Sequence, residues 1–170
     1  MEKKPEPTME HVWAPWRMKY IQETSEKKCF FCESLRTEDC ADNLIVKRGN
    51  FAFAMLNRYP YTSGHLMVVP FAHKASMEDI PIETQTEVMK LITQAIHVLT
   101  KEYGAEGFNI GANLGATAGA GVADHLHFHV VPRWGGDTNF MTSVGNARVL
   151  PENLADTYVR IKDHWPKETD

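Results

Sequence analysis

Three histidines alternate with apolar residues in His125-Leu126-His127-Phe128-His129-Val130-Val131, a run that ends at Pro132. Alternation of polar and apolar positions is the period of a strand, on which every second side chain points the same way. The three imidazoles are then expected on one face, each roughly 6.5–7 Å along from the next. Leu126, Phe128 and Val130 would occupy the opposite, buried face. Imidazole titrates near neutral pH and serves as nucleophile, acid–base group or metal ligand. Three on one face exceed what a core needs. The residues alone leave two chemistries open: nucleophilic or acid–base work, and a zinc hydrolase in which the histidines hold the metal, since catalytic zinc takes three protein ligands plus water. The second lacks an acidic cluster apart from Asp124, whose side chain would fall on the other face.

Two other stretches could do chemistry. Cys29-Phe30-Phe31-Cys32 is a Cys-x-x-Cys pair that suits a redox couple, a structural zinc or two buried thiols. A structural zinc needs two more ligands, and the chain offers His73, just after Pro70, and His125. A closed Cys2His2 site would take His125 out of catalysis and leave no position for a catalytic water. Gly115-Ala-Thr-Ala-Gly119-Ala-Gly121 precedes the histidine run, where bare backbone N–H groups could cradle phosphate oxygens or the segment could be a plain connector. His11, His97 and His164 read as core or surface histidines.

Elements must carry these residues. Leu44–Lys47 and Phe51–Leu56 read as strands joined by the turn Arg48-Gly49-Asn50. Asn57–Gly64 reads as a loop, and His65–Val69 as a third strand ended by Pro70. The polar stretch from Cys32 to about Asp39 reads as a short helix. Val88, Leu91, Ile92, Ala95, Val98, Leu99 and Tyr103 fall at helical spacing, so Ile82–Tyr103 is expected as a long helix with Pro81 near its start and Gly104 at its end. Gly107–Leu114 reads as a strand. Pro151 opens a C-terminal helix with Leu154, Tyr158, Ile161 and Trp165 on its inner side. Clustered strands with helices set apart predict an α+β fold on a mainly antiparallel sheet of about five strands. Residues 1–10 are expected as a disordered tail and 11–170 as one domain. His11-Val-Trp13-Ala-Pro15-Trp16-Arg17 is too apolar for a loose tail and is expected to dock on the body or on a partner subunit.

Composition narrows the class. A chain of 170 residues with 43% hydrophobic residues is long enough for one domain with a core. A net charge of −4 gives no sign of a large basic surface, which argues against bulk binding of a nucleic-acid polymer. Positive potential for an anion would have to be local, from Arg133, Lys74 and backbone amides. The polar first ten residues have no apolar h-region after them, and no stretch is apolar enough to span a membrane. Three cysteines suit a reducing cytoplasm better than a disulfide framework.

The run His125-Leu-His-Phe-His-Val-Val resembles the signature of the histidine-triad (HIT) superfamily of nucleotidyl hydrolases and transferases. Asn57, then Gly64-His65-Leu-Met-Val-Val-Pro70 and His73, are similar to its nucleotide-binding loop and strand, and Asn113 before the glycine loop also fits. Trp13-Ala-Pro-Trp-Arg17 and Pro132-Arg-Trp-Gly-Gly-Asp-Thr-Asn-Phe140 resemble the branch of diadenosine tetraphosphate phosphorylases. The resemblance implies the HIT fold, and a nucleophilic His127 that becomes nucleotidylated. It implies His129 on the phosphate and leaving group, with His65 in support. It further implies Asn57, Asn113, Gly119 and Gly121 on the substrate, and zinc on Cys29, Cys32, His73 and His125. Adenine nucleotides or dinucleoside polyphosphates, inorganic phosphate and a homodimer or larger homo-oligomer are the implied partners. A nucleotide sensor with little turnover is the non-enzymatic alternative, disfavoured by an intact set of His65, His127 and His129. Two departures stand out. Gly119-Ala-Gly-Val-Ala-Asp124 lacks the serine or glutamine many members place there. His129 stands where transferases carry glutamine, which leaves hydrolysis open.

Overall fold

The computed structural model describes residues 28–138, 142, 144 and 149–167. The expected tail over 1–10 and the tryptophan-rich segment His11–Arg17 lie outside the described residues. A short helix α1 (Phe30–Ser34) precedes a hairpin of β1 (Ile45–Arg48) and β2 (Ala52–Leu56), followed by β3 (Leu66–Pro70). The long helix α2 (Ile82–Tyr103), β4 (Gly107–Gly111), β5 (Phe128–Arg133) and α3 (Leu154–Asp163) complete the element order. The five strands form one sheet in the order β1-β2-β3-β5-β4, with every neighbouring pair antiparallel. This is the α+β architecture that the pattern of apolar runs predicts.

The core follows from the apolar spacing. Every residue of β2 and β3 is buried. α2 turns Val88, Leu91, Ile92, Ala95, Val98 and Leu99 inward as one stripe and packs on β2, β3 and β5. The Glu87 side chain on α2 accepts the backbone N–H groups of Asn50, Phe51 and Ala52, which fastens the β1–β2 turn to the helix. α3 lies against α2 and β1, with Tyr158, Ile161 and Trp165 buried. Its true start is Leu154. Asn153 caps it by accepting the Asp156 N–H at 2.9 Å, so Pro151 stands in the turn before the helix and does not open it.

Several boundaries move, and one matters for function. The strand expected over His125–Val131 begins only at Phe128, which leaves His125 and His127 in the lead-in segment. The β3–β5 ladder stops at Val68↔Phe128. Pro70 has no N–H to extend it, and its carbonyl receives the His125 side chain instead. The lead-in is held from the loop, where the Leu126 N–H donates to Lys74 O at 2.7 Å. The strand expected over Gly107–Leu114 likewise ends at Gly111, opposite His129. The glycine loop contains a 3-10 turn at Ala116–Ala118 and is not a plain connector.

Gly64 places His65. Its φ of +74° is left-handed, and a Cβ there would lie 2.7 Å from Leu99 Cδ2 in the core. Alanine would carry both backbone strain and a clash. Gly64→Ala is expected to lower stability by about 1–3 kcal/mol, read as a lower urea midpoint. A midpoint equal to wild type would show that Leu99 yields and that the glycine is dispensable.

Candidate active site and metal-ligand cluster

Four potential ligands meet at the lower end of β3. Cys29 and Cys32 flank the first turn of α1, His73 follows Pro70, and His125 leads into β5. Their ligand atoms all lie within 4.8 Å of one another and could hold a metal ion. Cys29 Sγ is 3.3 Å from His125 Nδ1, and Cys32 Sγ is 3.4 Å from His73 Nδ1 and 3.7 Å from His125 Nδ1. His125 is fully buried, and its Nε2–H donates to Pro70 O at 2.9 Å. That bond fixes the tautomer and leaves the Nδ1 lone pair facing the thiols.

His127 and His129 lie beyond, with ring centroids 5.1 Å apart. The His127 Nδ1–H donates to the His125 carbonyl at 2.8 Å, so its lone pair is on Nε2. His65, fully buried on the neighbouring strand end, accepts the Tyr61 backbone N–H on Nδ1 at 3.1 Å. Its proton is therefore on Nε2, which donates to His129 Nδ1 at 3.0 Å. A neutral His129 then carries its own proton on Nε2. The pair thus offers one lone pair and one donor.

Both histidines line a cleft together with Asn57, Asn113, Gly119 and Gly121. Asn57 Oδ1 accepts the Tyr59 N–H at 2.9 Å and shapes the loop after β2. Asn113 Nδ2 donates to Gly119 O at 3.4 Å across the glycine loop, where Gly119 has a left-handed φ of +88°. The structure brings these residues together with His127 and His129, while His65 stands behind His129. The spacing of the sequence missed the other walls: Phe30, Phe31, Arg58, Tyr59, Tyr61, Met67 and Val122 also line the cleft. A signal for Phe30 and Phe31 was present, since they sit between two cysteines tied to the histidine run. Arg133, expected as a local cation, instead faces Asp137 with both Nε and Nη2 and donates through Nη1 to Asn109. Lys74 is exposed next to His73. Among the described residues, Arg58 is the one permanent cation that lines the cleft.

Residues 39–136 match the HIT domain family. The chain belongs to the HIT family. It is similar to the AP-4-A phosphorylase of Mycobacterium tuberculosis, with 39% identity over 94% of this chain and 86% of that protein. Likeness on that scale makes this HIT protein an enzyme. An adenosine 5′-monophosphoramidase of Saccharomyces cerevisiae is 32% identical over 65% of each chain. A Zn-bound histidine triad family protein from Mycobacterium smegmatis shares the fold, with a TM-score of 0.64 and 24% identity over 80% of this chain and 91% of that one. No helix among the described residues of the HIT protein is long and apolar enough to cross a membrane.

Burial disfavours the charged forms of His65, His125 and His127 in this HIT site. It lowers the His127 pKa, against a smaller opposing effect of the bond to the His125 carbonyl. His65 is pushed down to about 3 by burial and then by His129. In the unfolded chain it would titrate near 6.5. Between those values the unfolded state binds the extra proton, so this contribution to stability is full above pH 6.5 and is lost as pH falls towards 3. Wild type is expected to lose about 2 kcal/mol more stability between pH 7 and pH 5 than His65→Gln does. Urea titrations at the two pH values check this. Equal losses would mean that His65 is protonated in the folded protein.

Proposed function

We propose that this HIT enzyme transfers a nucleotidyl group from a dinucleoside polyphosphate, diadenosine tetraphosphate being the best candidate, to inorganic phosphate. The observation that carries the reading is the complementary pair of tautomers: a lone pair on His127 Nε2 beside a proton on His129 Nε2. A neutral imidazole needs no separate base to act as a nucleophile. In the first step His127 Nε2 attacks the α-phosphorus, the P–N bond forms, and the bond to the bridging oxygen of the leaving ATP breaks. His129 donates its Nε2–H to the phosphate or to the departing oxygen. In the second step inorganic phosphate attacks the same phosphorus, the P–N bond breaks, and ADP leaves. Water in place of phosphate would give AMP.

The remaining residues have roles that the geometry supports. His65 holds His129 in its donor tautomer. Asn57 meets the ribose hydroxyls, and Asn113 and Gly121 present amide and backbone N–H groups to the phosphates, while Gly119, whose own N–H donates to Ala116 O, shapes the loop beside them. The flat apolar walls from Phe30, Phe31 and Met67 suit the base. With no hydroxyl in Gly119–Asp124, backbone donors take the place of the missing serine or glutamine. A homodimer or larger homo-oligomer in the cytoplasm is the assembly that goes with this reading.

The thiol–imidazole cluster suits a structural zinc. Bond lengths of about 2.3 Å to sulfur and 2.0–2.1 Å to nitrogen give a tetrahedral S···N edge of roughly 3.6 Å. The three S···N separations of 3.3, 3.4 and 3.7 Å straddle it. Four protein donors close the coordination sphere, so bound zinc would supply folding stability and not an activated water.

Incubation with diadenosine tetraphosphate, with and without phosphate, tests the reaction. ATP plus ADP is expected only with phosphate, together with an acid-labile nucleotidyl adduct on the protein. ATP plus AMP without phosphate would replace phosphorolysis by hydrolysis. His127→Ala should lower turnover by at least about a thousandfold and abolish the adduct. His129→Ala should lower it by roughly 10²–10⁴. An adduct that persists in His127→Ala would remove this histidine from the role of nucleophile.

A further inference from the structure

Phe31 stands between the metal-ligand cluster and the cleft. It is buried, and its ring centroid lies 5.2 Å from that of His125 and 5.0 Å from that of His127. The same ring lines the cleft. In sequence it is bracketed by Cys29 and Cys32, whose sulfurs reach His125 Nδ1 at 3.3 and 3.7 Å. A shift of this segment changes the reach of both thiols and the wall of the cleft at once. The carrier is α1, five residues long, and so short a helix has too few internal hydrogen bonds to hold its own position.

We propose that ion binding at Cys29, Cys32, His73 and His125 and nucleotide binding in the cleft are energetically coupled through Phe31. The inference rests on the zinc centre and the nucleoside cleft proposed above. An ion that draws the two thiols onto His125 fixes α1, and with it the aromatic wall that a base must meet. A nucleotide packed on that wall fixes the same segment from the other side. Each ligand meets a site already ordered by the other, and linkage makes the two effects equal.

The test uses the full chain. Zn²⁺ affinity is measured by competition with a chromophoric chelator, without and with saturating AMP. AMP affinity is measured by calorimetry on zinc-loaded and chelator-stripped protein, and both pairs are repeated on Phe31→Leu. AMP is expected to raise zinc affinity about tenfold, and zinc to raise AMP affinity by the same factor. Phe31→Leu is expected to bind both ligands with a coupling factor near one. The stripped wild-type protein should keep its native far-ultraviolet circular dichroism at 25 °C. Zinc affinity indifferent to AMP overturns the proposal. So does coupling that is undiminished in Phe31→Leu, or a stripped protein that has lost its helical signal, because coupling then reflects global unfolding. Failure to bind zinc at all, or AMP at all, would instead sink the centre or the cleft on which the inference stands.

Discussion

A buried neutral imidazole has one N–H and one lone pair, and its partners decide which nitrogen carries which. In this protein the main chain decides three times. Pro70 O receives the His125 Nε2–H, His125 O receives the His127 Nδ1–H, and the Tyr61 N–H donates to His65 Nδ1. Main-chain groups do not rotate away or titrate. The assignment therefore passes from the fold to the side chains: thiol-facing Nδ1 on His125, a lone pair on His127 Nε2, and a relayed proton on His129. The rest of the site depends on these bonds, because a flipped tautomer at any one of them would exchange donor for acceptor at the atoms to which the proposed chemistry is assigned.

The same economy governs charge. A net charge of −4, and Arg58 as the one permanent cation among the described residues of the cleft, give little net positive charge for the polyphosphate proposed as substrate. Arg133 does not relieve this, since Asp137 neutralises it. What the cleft has instead is fixed dipoles: amide N–H groups, the glycine loop and neutral imidazoles. Preorganised donors need no reorganisation as charge develops, and inside a partly desolvated cleft they act more strongly than in water.

Much of this architecture is legible in the sequence where one physical rule acts alone. The 22 residues of α2 fall where the apolar stripe and Gly104 put them, because burial and capping there point the same way. The histidine run is different. Its alternation is a strand pattern throughout, yet the ladder stops at Phe128 because of a proline on a partner strand 58 positions earlier, between residues 70 and 128. No local pattern carries that information. Arg133 differs again: Asp137, four residues on, is a local partner that its sequence neighbourhood already offers, and only Asn109 joins it through the pairing of β4 with β5. Phe30 and Phe31 carry a signal in sequence, between two cysteines tied to the histidine run, but that they line the cleft follows only once the fold brings those thiols to His125.

That last placement explains why a segment of five residues can carry so much. α1 is anchored from outside at both ends. The Cys29 and Cys32 sulfurs reach the histidines at its start, and Asn43 Nδ2 donates to Ser34 O at its end, 3.3 Å away. Asn43 is itself a buried hub that also accepts the N–H groups of Cys40 and Ile45, so the second anchor is tied to the sheet. Between the anchors, the segment has only packing to set its height, and Phe31 packs on the His125 and His127 rings. A longer helix would hold its shape whatever its ends did. A short one takes its position from its anchors, and here one anchor is a thiol–imidazole set that could hold a metal ion while the ring it positions rests on the His127 imidazole.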